Sequence, residues 1–390
     1  MKLTRFAVAG CFAIFALGVA AAGQSPMRAR DLGVPFDGTP GPLNAITDVP
    51  GITVGHTTVI RDLPPKNGKP AAVRTGVTAI LPRGPESAKA PAFAGWFSLN
   101  GNGEMTGTAW LEEGGFLEGP VLITNTHSVG TARDAAIKWL LGKNVSLSGA
   151  DAWWGLPVAA ETWDGWLNDI NGFHVTDQHV FGALDTATGG PVAEGSVGGG
   201  TGMICYEFKG GIGTSSRIVG LAGRSYTVGA LLQANFGRRS QLTIAGAPVG
   251  REIPDLPAYA DSGRPDSEQG SVIVVVGTDA PLLPHQLKRL ARRVSLGLAR
   301  TGAVSGNGSG DLFLAFSTAN SGAWSPGAAT RVEMLGNDQL DPVFAAVVQA
   351  TEEAVVNALV AGRAMTGHQG RRVIALPHDR LRGVLKRYGR

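Results

Sequence analysis

The chain has 390 residues, of which 43% are hydrophobic, with 57 glycines and a formal charge of +3. That is ample for a large core in one big domain or two smaller ones, and the scattered glycines imply tight turns and close backbone approaches, not disorder. So mild a charge argues against a nucleic-acid binder, which needs a concentrated basic face.

Met1 to Ala22 has the layout of a signal peptide. Lys2 and Arg5 form its basic start, Phe6 to Val19 a short apolar stretch, and Ala20-Ala21-Ala22 an Ala-x-Ala cleavage site. Removing Lys2 and Arg5 takes the charge from +3 to +1. The expectation is export to the periplasm or beyond, with a mature chain from residue 23. No other segment approaches the roughly 18 uninterrupted apolar residues of a membrane span. Cys11 lies inside the apolar run, so Cys205 is the one cysteine left in the mature chain and no internal disulfide is possible. Between Ile204 and Tyr206, it reads as an inert core cysteine.

Residues 23–45 read as a polar, extended arm. Ile52 to Ile60 and Gly76 to Leu81 read as strands, with His56 structural. Asn100-Gly101-Asn102-Gly103-Glu104-Met105-Thr106-Gly107 is a dense turn that could line a cleft. Val121 to Thr124 is a short strand, followed by a helix to Leu141 with Ser128 as its N-cap. Glu161, Asp164 and Asp169 lie near Trp153, Trp154, Trp163 and Trp166, which suggests a partly apolar pocket edged by acid. The glycines of Gly195 to Met203 lack the Lys-Ser/Thr of a phosphate loop, so no nucleotide site is expected.

Tyr226 to Ala234 reads as a buried strand ending at Asn235, whose amide could be held out as a donor, and Gln241 to Ala247 as its continuation in the sheet. Residues 251–270, with Pro254, Pro257 and Pro265, are the best linker in the chain. Directly after it, Ser271 heads the β-branched run Val272 to Val276, a strand buried on both faces. Pro284 opens a helix to about Arg300, and Leu312 to Ser317 is a strand entered through Ser309-Gly310-Asp311. Asp341-Pro342 caps and opens a helix to about Ala361. A strand over Val373 to Leu376 and a basic helix close the chain.

Strands followed by paired long helices give an α/β layered architecture. No Gly-x-Ser-x-Gly elbow and no His-Glu-x-x-His occurs. His174, Asp177 and His179 lie in a loop-like run without the supporting helix a metal site would use, so no metal is expected. The favoured constellation is Ser271, Ser309, Asp311 and Asn235. Cutting between Gly270 and Ser271 would give Ser271 a free α-amine as its own base. Ser309 and Asp311 could relay hydrogen bonds to it, and Asn235 could donate to an oxyanion.

Six stretches together resemble the DmpA/BapA-type self-processing serine aminopeptidases: Ile46 to Gly51, Gly101 to Gly107, Glu161 to Gly165, Gly198 to Met203 with Phe208 to Thr214, Gln233 to Gly237, and Gly308 to Asp311. The resemblance spans roughly residues 43–370. It implies an αββα sandwich like that of N-terminal-nucleophile hydrolases, with different connectivity. It also implies a precursor cut before Ser271 into two chains (23–270 and 271–390) that stay together and form higher oligomers, and no cofactor. Ser271 matches the nucleophile, Ser309 and Asp311 its partners, Asn235 the oxyanion donor and Glu161 the holder of the substrate's amine. Two positions depart from the pattern: Asp311 where Glu is common, and Trp163 where some members carry Tyr. A β-peptidyl aminopeptidase is the expectation. An L-aminopeptidase/D-Ala-esterase-amidase, an acyltransferase of similar fold and a non-catalytic periplasmic peptide-binding protein remain open.

Overall fold

A computed structural model describes residues 27–143, 153–221, 223–259, 270–325 and 327–390. The signal-peptide segment and half of the expected linker, residues 260–269, lie outside the described residues. In chain order the strands are β1 (Thr53–Lys66), β2 (Lys69–Leu81), β3 (Ala92–Gly101), β4 (Phe116–Leu117), β5 (Val121–Asn125), β6 (Val158–Thr162), β7 (Ile204–Cys205), β8 (Phe208–Lys209), β9 (Gly211–Leu221), β10 (Arg224–Asn235), β11 (Ser271–Thr278), β12 (Gly310–Ser317), β13 (Met365–Thr366) and β14 (Arg372–Val373). The helices are α1 (Thr108–Gly114), α2 (Val129–Gly142), α3 (Asp177–Asp185), α4 (Val249–Glu252), α5 (Pro284–Arg300), α6 (Asp341–Ala361) and α7 (His378–Arg387).

Two sheets stack face to face. One has the order β4-β3-β12-β11-β10-β9, the other β1-β2-β5-β6. The period of two along β11 shows how the layers meet. Val272, Val274 and Val276 point to α5 and α6, where Leu287, Leu290, Val294, Val347 and Val355 share their core. Ile273 and Val275 point the other way, onto Ile80, Val121, Ile123 and Ala160 of the second sheet. That sheet's far face, with Val77, Ala79 and Leu122, is covered by α2 and α3. The result is the αββα sandwich, and it explains why β11 is apolar without alternation: both of its faces are interior. Helix α6 is long and apolar enough to cross a membrane by composition, but in the fold it is a core helix, mostly buried.

Several local expectations change. Gln241 to Ala247 does not extend the sheet; it turns, held by an isolated Ile244–Ala247 bridge. Val373 to Leu376 contributes only β14, paired with β13. Asp341 is the first residue of α6 and its side chain caps nothing. Ser128 likewise makes no side-chain cap, and the Asn125 side chain accepts the His127 N–H at 3.1 Å instead. The run holding Asp177 and His179 is not a loop but the first turn of α3, where His179 Nδ1 accepts the Thr176 N–H at 3.0 Å. No metal-binding group of His, Cys, Asp or Glu occurs among the described residues. His56 is partly buried and its Nδ1 lies 3.0 Å from Thr78 Oγ1; desolvation pulls its pKa to about 4, so it is neutral. The polar arm is not free. Arg30 pairs bidentately with Glu353 of α6 at 2.8 Å, and buried Arg217 reaches the same carboxylate at 2.7 Å.

Candidate active site

The strand ladder brings the serine, the amide and the Ser309–Asp311 pair to one end of the sheet. β11 lies between β10, antiparallel, and β12, parallel. In that register Asn235 faces Ser271 on one side and Gly310 faces it on the other. The end of one strand and the beginnings of two others therefore coincide.

Ser271 is buried, and its Oγ donates to the carbonyl oxygen of Gly270 at 2.7 Å. The Gly310 N–H donates to the same oxygen at 3.1 Å. The carbonyl before the serine thus already carries a backbone donor. Gly270 is not required by a left-handed backbone but by close approach. A Cβ there would lie 2.3 Å from Asn235 O and 2.8 Å from Phe236 Cα. Buried Ser309 donates to Asp311 Oδ1 at 2.7 Å, so the shorter acid reaches its partner. The Asn235 amide is fixed at both ends: Nδ2 donates to Trp163 O at 2.9 Å, and Oδ1 accepts the Ile204 N–H at 2.8 Å. An amide NH₂ has two hydrogens, so one remains for a further acceptor.

The opposite wall comes from the second sheet. Glu161 lies at the end of β6, buried, with Oε1 accepting the Glu104 N–H at 3.0 Å and Oε2 accepting the Thr126 hydroxyl. Burial raises its pKa above the usual carboxylate value, opposed by those two hydrogen bonds. The Asn100 to Gly107 turn joins the two walls. A Cβ on Gly103 would lie 3.1 Å from Gly310 Cα and 3.3 Å from Glu161 Oε1, and Asn102 Nδ2 donates to Gly308 O at 2.8 Å. Between the walls lies a cavity of about 470 Å³ lined by Ser271, Gly270, Glu161, Thr126, Trp163 and Asn102.

Three contributors were not legible as site residues in the sequence. The Gly310 N–H acts through backbone, which no side-chain pattern reports. Thr126 is one of many threonines until β5 and β6 set it beside Glu161. Lys209 is fully buried, its Nζ donating to the carbonyls of Met203 (2.8 Å), Gly210 (2.9 Å) and Gly200 (3.3 Å). It braces the turn whose next residue, Ile204, orients Asn235. Burial pulls the Lys209 pKa down to about 7. Asp164, also buried, accepts from Asn168 Nδ2 at 2.9 Å, and burial pushes its pKa up to about 7. Cys205 is buried as a thiol, in no disulfide.

A sandwich of two sheets between helix layers, with a serine at the head of a core strand and a buried carboxylate across the cavity, defines a serine aminopeptidase of the N-terminal-nucleophile hydrolase type. The chain belongs to Peptidase family S58, which matches residues 44–373. It is 53% identical over 384 residues to Beta-peptidyl aminopeptidase BapA of Sphingosinicella microcystinivorans, covering 96% of this chain and 95% of that one. It is 48% identical to the protein of the same name from Sphingosinicella xenopeptidilytica, covering 92% and 91%. Among solved structures, the L-aminopeptidase D-Ala-esterase/amidase of Ochrobactrum anthropi, described as a variant of the Ntn hydrolase fold, superposes with a TM-score of 0.86 at 51% identity, covering 93% of this chain and 99% of that one. A Burkholderia sp. beta-aminopeptidase superposes at 0.81 with 49% identity, covering 93% and 99%.

Proposed function

We propose that this serine aminopeptidase is exported, cuts itself between Gly270 and Ser271, and then releases N-terminal residues, β-amino acids among them, from short peptides and amides. The observation that carries the reading is the placement of Ser271 Oγ 2.7 Å from the Gly270 carbonyl oxygen, in a cavity that also holds a buried carboxylate. The cut is an N→O acyl shift. Ser271 Oγ attacks the Gly270 carbonyl carbon while the Gly310 N–H supports the developing oxyanion. The C–N bond breaks, the Ser271 nitrogen takes up the proton, and water hydrolyses the ester to leave a Gly270 carboxylate and a free Ser271 amine.

In the mature enzyme that amine is the base for its own hydroxyl. Glu161 pairs with the substrate's ammonium, and Asn235 and the Gly310 N–H donate to the oxyanion. Ser309, polarised by Asp311, steadies Ser271, and Trp163 covers the bound residue. The acyl-enzyme is then hydrolysed. The products of the cut stay together because the sheet interleaves them: β11 and β12, from after the cut, lie between β3 and β10, from before it. Separation would break two strand ladders. Higher oligomers of the cleaved unit belong to the same reading, and light scattering measures them.

The preference for β-peptides is supported by two relatives that carry that name; the L-aminopeptidase/D-Ala-esterase activity, named for a structure of comparable identity, is the second reading. Exact-mass measurement of purified protein tests the maturation. The expected result is two chains breaking between Gly270 and Ser271, and a single inactive chain for Ser271→Ala. A single intact chain that hydrolyses substrate would overturn it. Side-by-side hydrolysis of β-homoamino-acid, L-alanyl and D-alanyl p-nitroanilides decides between the two specificities.

A further inference from the structure

Trp163 is a shared wall. Besides the Ser271 cavity it lines a second cavity of about 440 Å³, whose surface also carries His127, Asp169, His368 and Arg371. The turn after β6 forms one side of it and the tip of the β13–β14 hairpin the other, fastened by the His368 N–H donating to Leu167 O at 2.7 Å. The Arg371 guanidinium lies over the Trp166 ring, 4.1 Å from its centroid, and Nη2 donates to Gln369 Oε1 at 2.7 Å. A guanidinium stacked on an aromatic face keeps its charge and holds its donors in one plane; here Nη1 also makes long bonds to the Trp166 and Gly165 carbonyls at 3.4 and 3.5 Å. His368 Nδ1 is buried with no hydrogen-bond partner among the described residues. Asp169 is the opposing charge, and its Oδ2 lies 3.2 Å from His174 Nε2.

The catalytic cavity accounts for only one end of a short peptide. Glu161 takes the ammonium and Ser271 the carbonyl, whereas a dipeptide carries one more charge, its terminal carboxylate, one residue (roughly 4 Å) beyond the bond that breaks. A planar cation and an unsatisfied imidazole in the adjoining cavity are the chemistry that recognises a carboxylate. We propose that this second cavity is the subsite for the leaving residue of short peptides, with Arg371 holding its free carboxylate and His368 adding a second contact. The inference rests on the aminopeptidase reading and deepens it: the preferred substrates are dipeptides with a free C-terminus.

The test compares three substrates with one N-terminal residue: a dipeptide with a free carboxylate, its C-terminal amide, and the p-nitroanilide. For the wild-type enzyme the expected kcat/KM is about tenfold higher for the acid than for the amide, with the difference in KM. In Arg371→Gln that ratio falls to about one, whatever common change affects both substrates. Arg371→Lys, which keeps the charge and loses the fork, retains an intermediate ratio, and His368→Asn lowers the ratio by a few-fold. A wild-type ratio near one, or an Arg371→Gln ratio equal to the wild type's, overturns the subsite while hydrolysis of the p-nitroanilide leaves the aminopeptidase reading standing. Failure to cleave any of the three overturns both.

Discussion

The two walls of the catalytic cavity are built by different physics. On the six-stranded sheet, Asn235, Ser271 and Gly310 stand side by side because backbone ladders put them there. On the facing sheet, Glu161 is placed by side-chain and turn contacts, from Thr126 and the Glu104 N–H, near a second buried acid, Asp164. A ladder fixes position regardless of charge and pH, but it leaves no room for added atoms. A wall of buried polar groups tolerates changes of volume better and responds to pH instead, because each buried ionisable group trades solvation for hydrogen bonds.

The largest effect should come from adding volume to the ladder wall. In Gly270→Ala the new Cβ meets Asn235 O at 2.3 Å, so the scissile carbonyl must shift. Maturation should slow by about 100-fold or more, as expected for displacement of reacting atoms on the order of 1 Å. A time course of chain cleavage measures this, and wild-type maturation of the alanine variant would contradict the ladder account. Next is removal of charge from the other wall. Glu161→Gln should raise KM by roughly 10- to 100-fold, the scale of a charge-assisted hydrogen bond, with maturation unaffected. Because burial raises the Glu161 pKa, the wild-type KM should also climb on acidification before an ordinary carboxylate would protonate, and the Gln variant should lose that dependence. A flat wild-type profile would count against the amine-holding role.

A smaller effect is expected at the Ser309–Asp311 pair. Asp311→Asn keeps an acceptor for the 2.7 Å bond but removes the charge, so kcat should fall by about tenfold with KM little changed. An unchanged kcat would remove Asp311 from the relay. A further effect concerns stability, not turnover. The folded-state pKa of Asp164 is raised from 3.8 to about 7, so its contribution is fully present below about 3.8 and is lost as pH rises to about 7. Thermal melts of Asp164→Asn against the wild type from pH 4 to pH 7 should therefore diverge in favour of the variant as pH rises. Parallel curves would mean that the Asp164 pKa is not raised on folding, as for a solvated carboxylate.

Much of the ladder wall is legible in the sequence. The unbroken run Val272 to Val276 required a strand buried on both faces, and the polar residues ahead of it required a junction at Gly270-Ser271. Ser309 and Asp311, two residues apart at a strand entry, are near enough in sequence to meet locally, as they do. The failures have a common cause as well. Gln241 to Ala247 has strand composition but closes on itself through the Ile244–Ala247 bridge, and α3 starts inside a histidine-containing run whose polar residues look like loop until Thr176 and His179 close its first turn.

By itself, the sequence determined which segments must be interior, where the exposed linker meets the core, and which chemical groups are available at that junction. Hydrophobic periodicity and turn chemistry are local, and they suffice for that. Only the tertiary structure decided that Ser271 lies between Asn235 and Gly310, that Glu161 faces it across a cavity with Thr126 on its other oxygen, and that Lys209 braces the turn carrying Ile204. Strand order and sheet stacking are set by how all the apolar faces are covered at once. No single stretch of sequence carries that information, because each contact depends on where a distant segment has folded.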